Sequence, residues 1–533
     1  MDDAKIHQGR RRALKTVGGM GAALLTGQAI SQTAEPQVAQ GLLAFKAPAA
    51  RVPAMPPYII DAHAHFFNAS DVDGYHYLLH SIGHKAGPLA KAVVPFKRVI
   101  ARISENAQTA KDELAELEQI AASLAPLDSK QRADRIEKII DFKQTQNIAE
   151  VHDAIRDSHA EMAFAALVQT LEREEGLAPS NQKLSKHTDD AMRYLQDKDG
   201  KRGGIGSRLV SFIACMRHDR WINLATYQRN VPGVNAVFDA MVDFRASYDM
   251  PHSDFKDQVA VHRRMSQLSD GAMLPLVAYN PLADMKSDGE VFDIVKKAIR
   301  EQGFIGVKIY PPMGFRPYGN AQYPIKGMPD LQTRQRIDRH MLALFEFCAD
   351  EGVPVMAHAN RTEGVSSAYD VCSEPKGWEA LIKAMQPARM PNINLGHFGG
   401  AGKSDWPTGF ARLMAQTGGA RIYGDVGKWS SLRKCGADVA ACKPVARLTE
   451  AAKAFGDTGA FNQRIMYGSD WFMDAVDRDW QHYPEQVARA LAGTMNLRQL
   501  FYQNAIDCFG LGTDGKRRAS VAAHLGQLPA WLA

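Results

Sequence analysis

The chain has 533 residues, of which 45% are hydrophobic and 23% charged, with a formal net charge of +5. That is long enough for a large core and more than one structural unit, with the balance of an ordinary soluble globular protein. So slight a positive excess carries no nucleic-acid footprint, since such binding needs clustered basic charge.

The largest basic cluster, Arg10 to Arg12, precedes Leu14 and Lys15, and a Gly/Ala-rich apolar run follows from Val17 to Ile30. A basic n-region before a short h-region is the layout of a secretory signal, and the paired arginines resemble the twin-arginine pathway signal. A disordered basic tail is the plainer alternative. The run is shorter than the roughly 20 apolar residues that span a bilayer, so no stable membrane span is expected after cleavage near Ala29. The expected layout is a signal at 1–29, a Gln/Ala/Pro-rich linker at 30–56 and a folded unit at 57–533, with a mainly helical insertion at 70–230. The twin-arginine machinery exports folded chains, which suits a protein loaded with its cofactor and predicts a periplasmic or secreted location.

The stretch Ile59 to Phe67 begins as an apolar run and ends in two histidines. On a β-strand, residues i and i+2 share a face. His63 and His65 should project side by side, with Ala62 and Ala64 turned the other way. Two such imidazoles can bind one metal ion at roughly 2 Å.

From Pro88 to Glu175 there is no glycine, although the chain has 43. Apolar residues at helical spacing predict helices near 97–124, 129–145, 147–175 and 186–197. Lys198 to Gly206 reads as a flexible Gly/Lys-rich connection rather than a phosphate cradle. Surface packing is the default reading of this block, as a lid, a dimerisation arm or a scaffold. The insertion follows the strand with the histidines, so connectivity suggests a lid over the same mouth, and the arm leaves a homo-oligomer open.

From about residue 205 short apolar runs alternate with helical segments. Strands are predicted at Val237 to Phe244, Met273 to Asn280, Ile305 to Tyr310, Pro354 to Ala359, Ile393 to Gly396, Arg421 to Tyr423 and Arg464 to Tyr467. Gly303 and Gly352 stand where helix C-caps belong. With Tyr58 to Asp61 the set predicts an α/β fold, a (β/α)8 TIM barrel with a large helical insertion after strand one. An open doubly wound sheet is the runner-up, but no GxGxxG supports it. In such barrels the active site lies at the C-terminal ends of the strands. Those ends carry His63 and His65, Lys308, His358, His397 and Asp470. A lone strand-end His is more often a hydrogen-bonded polar residue, a lone Asp an N-cap, and a lone Lys a surface group. Four of 17 histidines at strand ends in order argue for a metal centre. The six cysteines form no CxxC pair; Cys435 and Cys442 are close enough to pair in an oxidising compartment.

Asp-Ala-His-Ala-His at 61–65, Val-Lys-Ile-Tyr-Pro at 307–311, Ala-His-Ala-Asn at 357–360, Gly-His-Phe-Gly-Gly at 396–400 and Gly-Ser-Asp-Trp at 468–471 together resemble the amidohydrolase superfamily. They look most like its amidohydrolase-related branch of barrel hydrolases, lactonases and decarboxylases. The resemblance covers about 57–512, apart from the insertion. It implies that His63, His65, His358 and Asp470 hold a divalent metal, expected to be zinc, in a one- or two-ion centre. His397 would be a second-metal ligand or the residue activating the water. Lys308 would be carboxylated and bridge two ions, or else be a substrate-carboxylate partner or a structural residue. The implied chemistry is hydrolysis of an amide, ester or lactone bond of a small molecule. Asp470 would take the proton of the attacking water, and His397 would stabilise the oxyanion. Arg316, Asn360, Arg361, Asp425 and Trp471 lie in rim loops and could orient substrate, Asp425 alternatively making a structural hydrogen bond. Non-hydrolytic decarboxylation at the same metal, or an exported metal- or ligand-binding protein without turnover, are the alternatives.

Overall fold

The computed structural model describes residues 55–72, 96–196, 203–231, 233–245, 251–361, 365–402, 404–417, 421–435, 439 and 441–533. The expected signal and linker up to residue 54, and most of the 198–206 connection, lie outside the described residues.

Eight strands form a parallel sheet in chain order: β1 Ile60–Ala64, β2 Ala236–Ala240, β3 Met273–Tyr279, β4 Gly306–Ile309, β5 Val355–His358, β6 Ile393–Gly396, β7 Ile422–Asp425 and β8 Ile465–Met466. β8 returns to β1, where the Ala62 amide donates to the Tyr467 carbonyl at 3.0 Å and the His65 amide to the Trp471 carbonyl at 2.5 Å. With helices between the strands, this is the predicted α/β TIM barrel. Parallel strands buried on both faces explain why they read as continuous apolar runs. Gly303 and Gly352 have left-handed backbones, at φ 78° and 64°, where helices Glu290–Glu301 and Leu331–Glu351 end.

The barrel interior is filled by Ile60, Ala62, Phe238, Leu274, Met356 and Met466. The C-terminal segment packs on the same cluster through Phe509, Val521 and Trp531, whose indole donates to the Gly271 carbonyl at 3.1 Å. Ala62 belongs to this interior cluster, whereas Ala64 belongs to the outer one. The two alanines therefore do not share a face as expected. The β1–β2 register shifts between Asp61 and Ala64, the signature of a bulge, which re-aims the side chains beyond it.

Between β1 and β2 lie helices Lys97–Asn106, Ala110–Leu124, Ser129–Asp157, Glu161–Glu174, Leu184–Gln196, Ile205–Arg217 and Arg220–Asn230. The helix predicted over 97–124 is two, because Thr109 caps the second by accepting from the Asp112 amide. The break predicted near residue 146 falls instead at 158–160. Asp128 and Gln131 form a capping box that starts the long helix. The insertion grips the loops beside β1 and β8. Arg220 donates to Asp71 and to Glu113, the Tyr194 hydroxyl to the Asp477 carbonyl at 2.8 Å, and Arg208 to the Val476 carbonyl at 2.9 Å.

Candidate metal centre

His63, His65 and Asp470 each offer a ligand atom, and these atoms lie within 4.8 Å of one another. His63 Nε2 is 3.4 Å and His65 Nε2 3.2 Å from the same Asp470 oxygen. The other nitrogen of each ring is engaged: His63 Nδ1 lies 3.0 Å from Asp425 Oδ1, and His65 Nδ1 2.5 Å from the Ala240 carbonyl. A ring that donates through Nδ1 presents its Nε2 lone pair, which is how ligating histidines are usually fixed. His397 follows the pattern, with Nδ1 2.9 Å from the Gly427 carbonyl, and its own carbonyl accepts from the Trp429 indole at 2.7 Å.

His358 closes β5. Its ring centroid is 4.5 Å from that of His397, which in turn is 4.6 Å from that of His63. His358 Nε2 is buried without a hydrogen-bond partner, an orphaned acceptor beside the other donors. Lys308 Nζ, buried at the end of β4, is 3.4 Å from His63 Nε2. The four histidines, Lys308 and Asp470 thus meet at one end of the barrel.

The donor set suits a cation. Burial, reinforced by Lys308 and His397, holds His63 well below its usual range and therefore neutral, and burial does the same to His358. Burial would raise the Asp470 carboxyl, but the neighbouring His397 and the contact with His65 outweigh it and hold the group well below the usual carboxylate range. Burial lowers Lys308 to about 8, against the pull of Asp425 and Asp470. Neutral imidazoles and a carboxylate are ligands for a divalent ion such as zinc.

Local backbone conformation aims these groups. His397 and Phe398 have φ of 65° and 39° in the turn after β6, and Asp470 has φ of 64° after β8. Non-glycine residues rarely adopt this conformation, and it clusters at functional sites. The His63 ring leaves no room for its neighbours: a Cβ on Gly468 would lie 2.7 Å from His63 Cβ, and one on Gly427 2.9 Å from His63 Nδ1.

The residues expected to orient substrate are placed variously. Asp425 lies beneath the ligands, where its carboxylate accepts from the amides of His397 at 3.0 Å and Gly427 at 2.9 Å and from Asn394 at 2.9 Å, besides meeting His63. It positions His63 rather than facing a substrate. Arg316 donates to the Val371 carbonyl and to Glu374, at 2.8 and 2.9 Å. Trp471 is fully buried, its ring centroid 4.1 Å from that of Trp480. Asn360 packs where a Cβ on Gly400 would stand, and the exposed Arg361 lies over Trp406 at 5.4 Å. Asp61 was not singled out from sequence. It accepts from the amides of His63 and Ser469, at 3.1 and 2.9 Å, and from the Tyr227 hydroxyl, while burial raises it to about 6. Its place two residues before His63 was the available signal.

Residues 264–511 match the sequence profile of the Amidohydrolase family. The match supports the amidohydrolase-related superfamily; it spans β3 to β8, with Lys308, His358, His397 and Asp470, and leaves out β1, β2 and the insertion. None of the curated proteins matches the chain. Two solved structures are similar. One is an uncharacterized TIM-barrel protein from Bordetella bronchiseptica, with 13% identity over 55% of this chain and 80% of that one and a TM-score of 0.30. The other is a 2,6-dihydroxybenzoate decarboxylase complexed with 2,6-dihydroxybenzoate, with 13% identity over 52% of this chain and 85% of that one and a TM-score of 0.31.

Proposed function

We propose that the chain is a metal-dependent hydrolase that cleaves an amide, ester or lactone bond of a small molecule with an activated water. The observation that carries this reading is the convergence of His63, His65 and Asp470, with His358 Nε2 unpartnered beside them. His63, His65, His358 and Asp470 would hold the ion, expected to be zinc. A bound divalent ion supplies a Lewis acid that makes water nucleophilic near neutral pH. Asp470, kept ionised by the surrounding imidazoles, takes the proton of the attacking water and passes it to the leaving group. His397, fixed through Nδ1 and with its ring beside those of His63 and His358, would stabilise the developing oxyanion. Lys308, buried and 3.4 Å from His63, would either, once carboxylated, help hold a second ion or meet a substrate carboxylate.

That lysine also favours a second reading, metal-dependent decarboxylation, because a buried cation beside the ligands suits a carboxylate substrate. Elemental analysis gives the ion and its count, and turnover in labelled water separates the reactions. Hydrolysis places solvent oxygen in the new carboxylate; a product that has lost CO2 without such oxygen overturns hydrolysis. We further propose twin-arginine export to the periplasm or medium. The Cys435–Cys442 disulfide supports an oxidising location, and no described helix is long and apolar enough to cross a membrane.

A further inference from the structure

Of the histidine rings at the barrel rim, His63, His65 and His397 are held in the same way. Each engages a carboxylate or a backbone carbonyl through Nδ1. His358 is built differently. The Ser373 hydroxyl donates to its carbonyl at 3.0 Å, a bond to its backbone and not to its ring. Its Nε2 is buried without a partner, and among the described residues none takes up its Nδ1 as happens in the other rings. A ligating imidazole needs its plane and aim held, and the ordinary device is a hydrogen bond to the nitrogen turned away from the ion.

What His358 has in place of that bond is another ring. Tyr310 stacks on it, with centroids 4.4 Å apart and planes at 30°. His397 meets it edge-on, at 4.5 Å and 61°. Tyr310 is itself held. It directly follows β4, and Pro311 after it disfavours the helical region of its backbone. The Met313 amide donates to its carbonyl at 3.0 Å. Phe244, buried beyond the end of β2, meets its ring edge-on at 5.0 Å and 77°. Stacked and edge-to-face arrangements of this kind are the ones that aromatic rings prefer. The strand end that carries Lys308 to His63 thus carries, two residues later, Tyr310 to His358.

We infer that Tyr310 is the positioning residue of His358. Its ring, backed by Phe244, holds the imidazole plane as the Nδ1 bonds hold the other histidines. The ring does this and the hydroxyl does not. The inference rests on the metal centre proposed above, because Tyr310 acts on the ion only through His358.

Metal affinity of the full chain without substrate, measured by competition with a chelator, tests this. The visible absorption of the cobalt(II)-loaded protein reports ligand geometry alongside it. Tyr310→Leu should weaken binding roughly tenfold, the worth of one aromatic stack, and shift the cobalt bands. Tyr310→Phe keeps the ring and should match the parent in both. In a His358→Ala background, Tyr310→Leu should weaken binding no further, because residues that act as one are not additive. Tyr310→Met fills the space with a flexible chain and replaces Tyr310→Leu if circular dichroism shows the latter misfolded. Parent affinity with unshifted bands in the ring-less variants would overturn the inference. So would a loss in Tyr310→Phe equal to that in Tyr310→Leu, or an undiminished effect of Tyr310→Leu beside His358→Ala. Each of these leaves the metal centre standing. A parent chain that binds no divalent ion would overturn the metal centre itself, and the role of Tyr310 with it.

Discussion

The barrel rim and the helical insertion both bury charge, and they do so in opposite ways. In the insertion, charge is closed on itself. Arg220 is fully buried, yet its guanidinium meets Asp71, Glu113 and the hydroxyls of Ser70 and Ser253, so that each of these three buried charges has a counter-charge. At the rim, the buried groups converge without satisfying one another. His63, His65 and His397 each use one nitrogen to fix the ring and leave the other aimed inward, and His358 Nε2 has no partner. A satisfied buried cluster fixes structure, whereas an incomplete one with perturbed protonation marks a place where something else binds. The contrast assigns stability to one region and chemistry to the other.

If that division holds, Asp470→Asn should act on chemistry alone. Turnover should fall by roughly 10²–10⁴-fold, the usual contribution of a positioned general base. Metal content should drop and the unfolding midpoint of the metal-free protein stay within about a degree. Full activity in this variant would remove Asp470 from the mechanism.

Arg220→Met should do the reverse. Removing one partner of a buried ion pair costs about 3–5 kcal/mol, because the remaining charges stay buried and unpaired. Asp71 and Glu113 would be left so, and denaturant unfolding should show the loss, while the folded fraction keeps its metal. Loss of metal in step with stability would show that insertion and rim form one unit.

The two regions also differed in how far they could be read from sequence. Barrel strands announce themselves because a strand buried on both faces is a continuous apolar run, and several are closed or closely followed by a polar residue at the rim. The strand ends with His358, His397 and Asp470 were therefore legible. What Asp425 does was not, because its partners come from β1, β6 and its own loop, and no local pattern records such a meeting. The bulge in β1 was also hidden, since strict alternation predicts Ala62 and Ala64 on one face. In the insertion, amphipathic helices were visible and their ends were not. Helices Ile205–Arg217 and Arg220–Asn230 went unread for a physical reason. Residues 205–216 of the first are all buried, and a helix buried on every side has no 3.6-residue period to detect.

Acid should act on the insertion. His218 joins those two helices and is fully buried. Burial lowers it to about 4 from an ordinary 6.5, despite the opposing hydrogen bond with Asn223 at 3.1 Å. The unfolded chain takes up this proton near pH 6.5, while the folded chain refuses it until about pH 4. The stability it contributes is thus whole above pH 6.5 and is lost progressively as pH falls toward 4, by about 3 kcal/mol at most. Unfolding measured from pH 7 to 4.5 should show a slope shallower by up to one proton in His218→Gln than in the parent. Identical slopes would mean that His218 is protonated in the folded state.

The smallest effect sits on the boundary between the two kinds of buried charge. Asp425 is satisfied as thoroughly as Arg220, with four donors on its two oxygens, yet it serves the unsatisfied rim by holding His63. Asp425→Asn keeps the size and most of the hydrogen bonds, so folding should change little. It replaces the oxygen facing His63 Nδ1 with a weaker acceptor or an amide donor. The ring then loses the bond that fixes its tautomer and aims Nε2. Changes to such supporting carboxylates typically cost about 10–100-fold in metal affinity. Competition titration against a chelator should therefore show that loss with an unchanged unfolding midpoint. A destabilised protein with undiminished metal affinity would place Asp425 with Arg220, as a group that builds the barrel and does not tune its site.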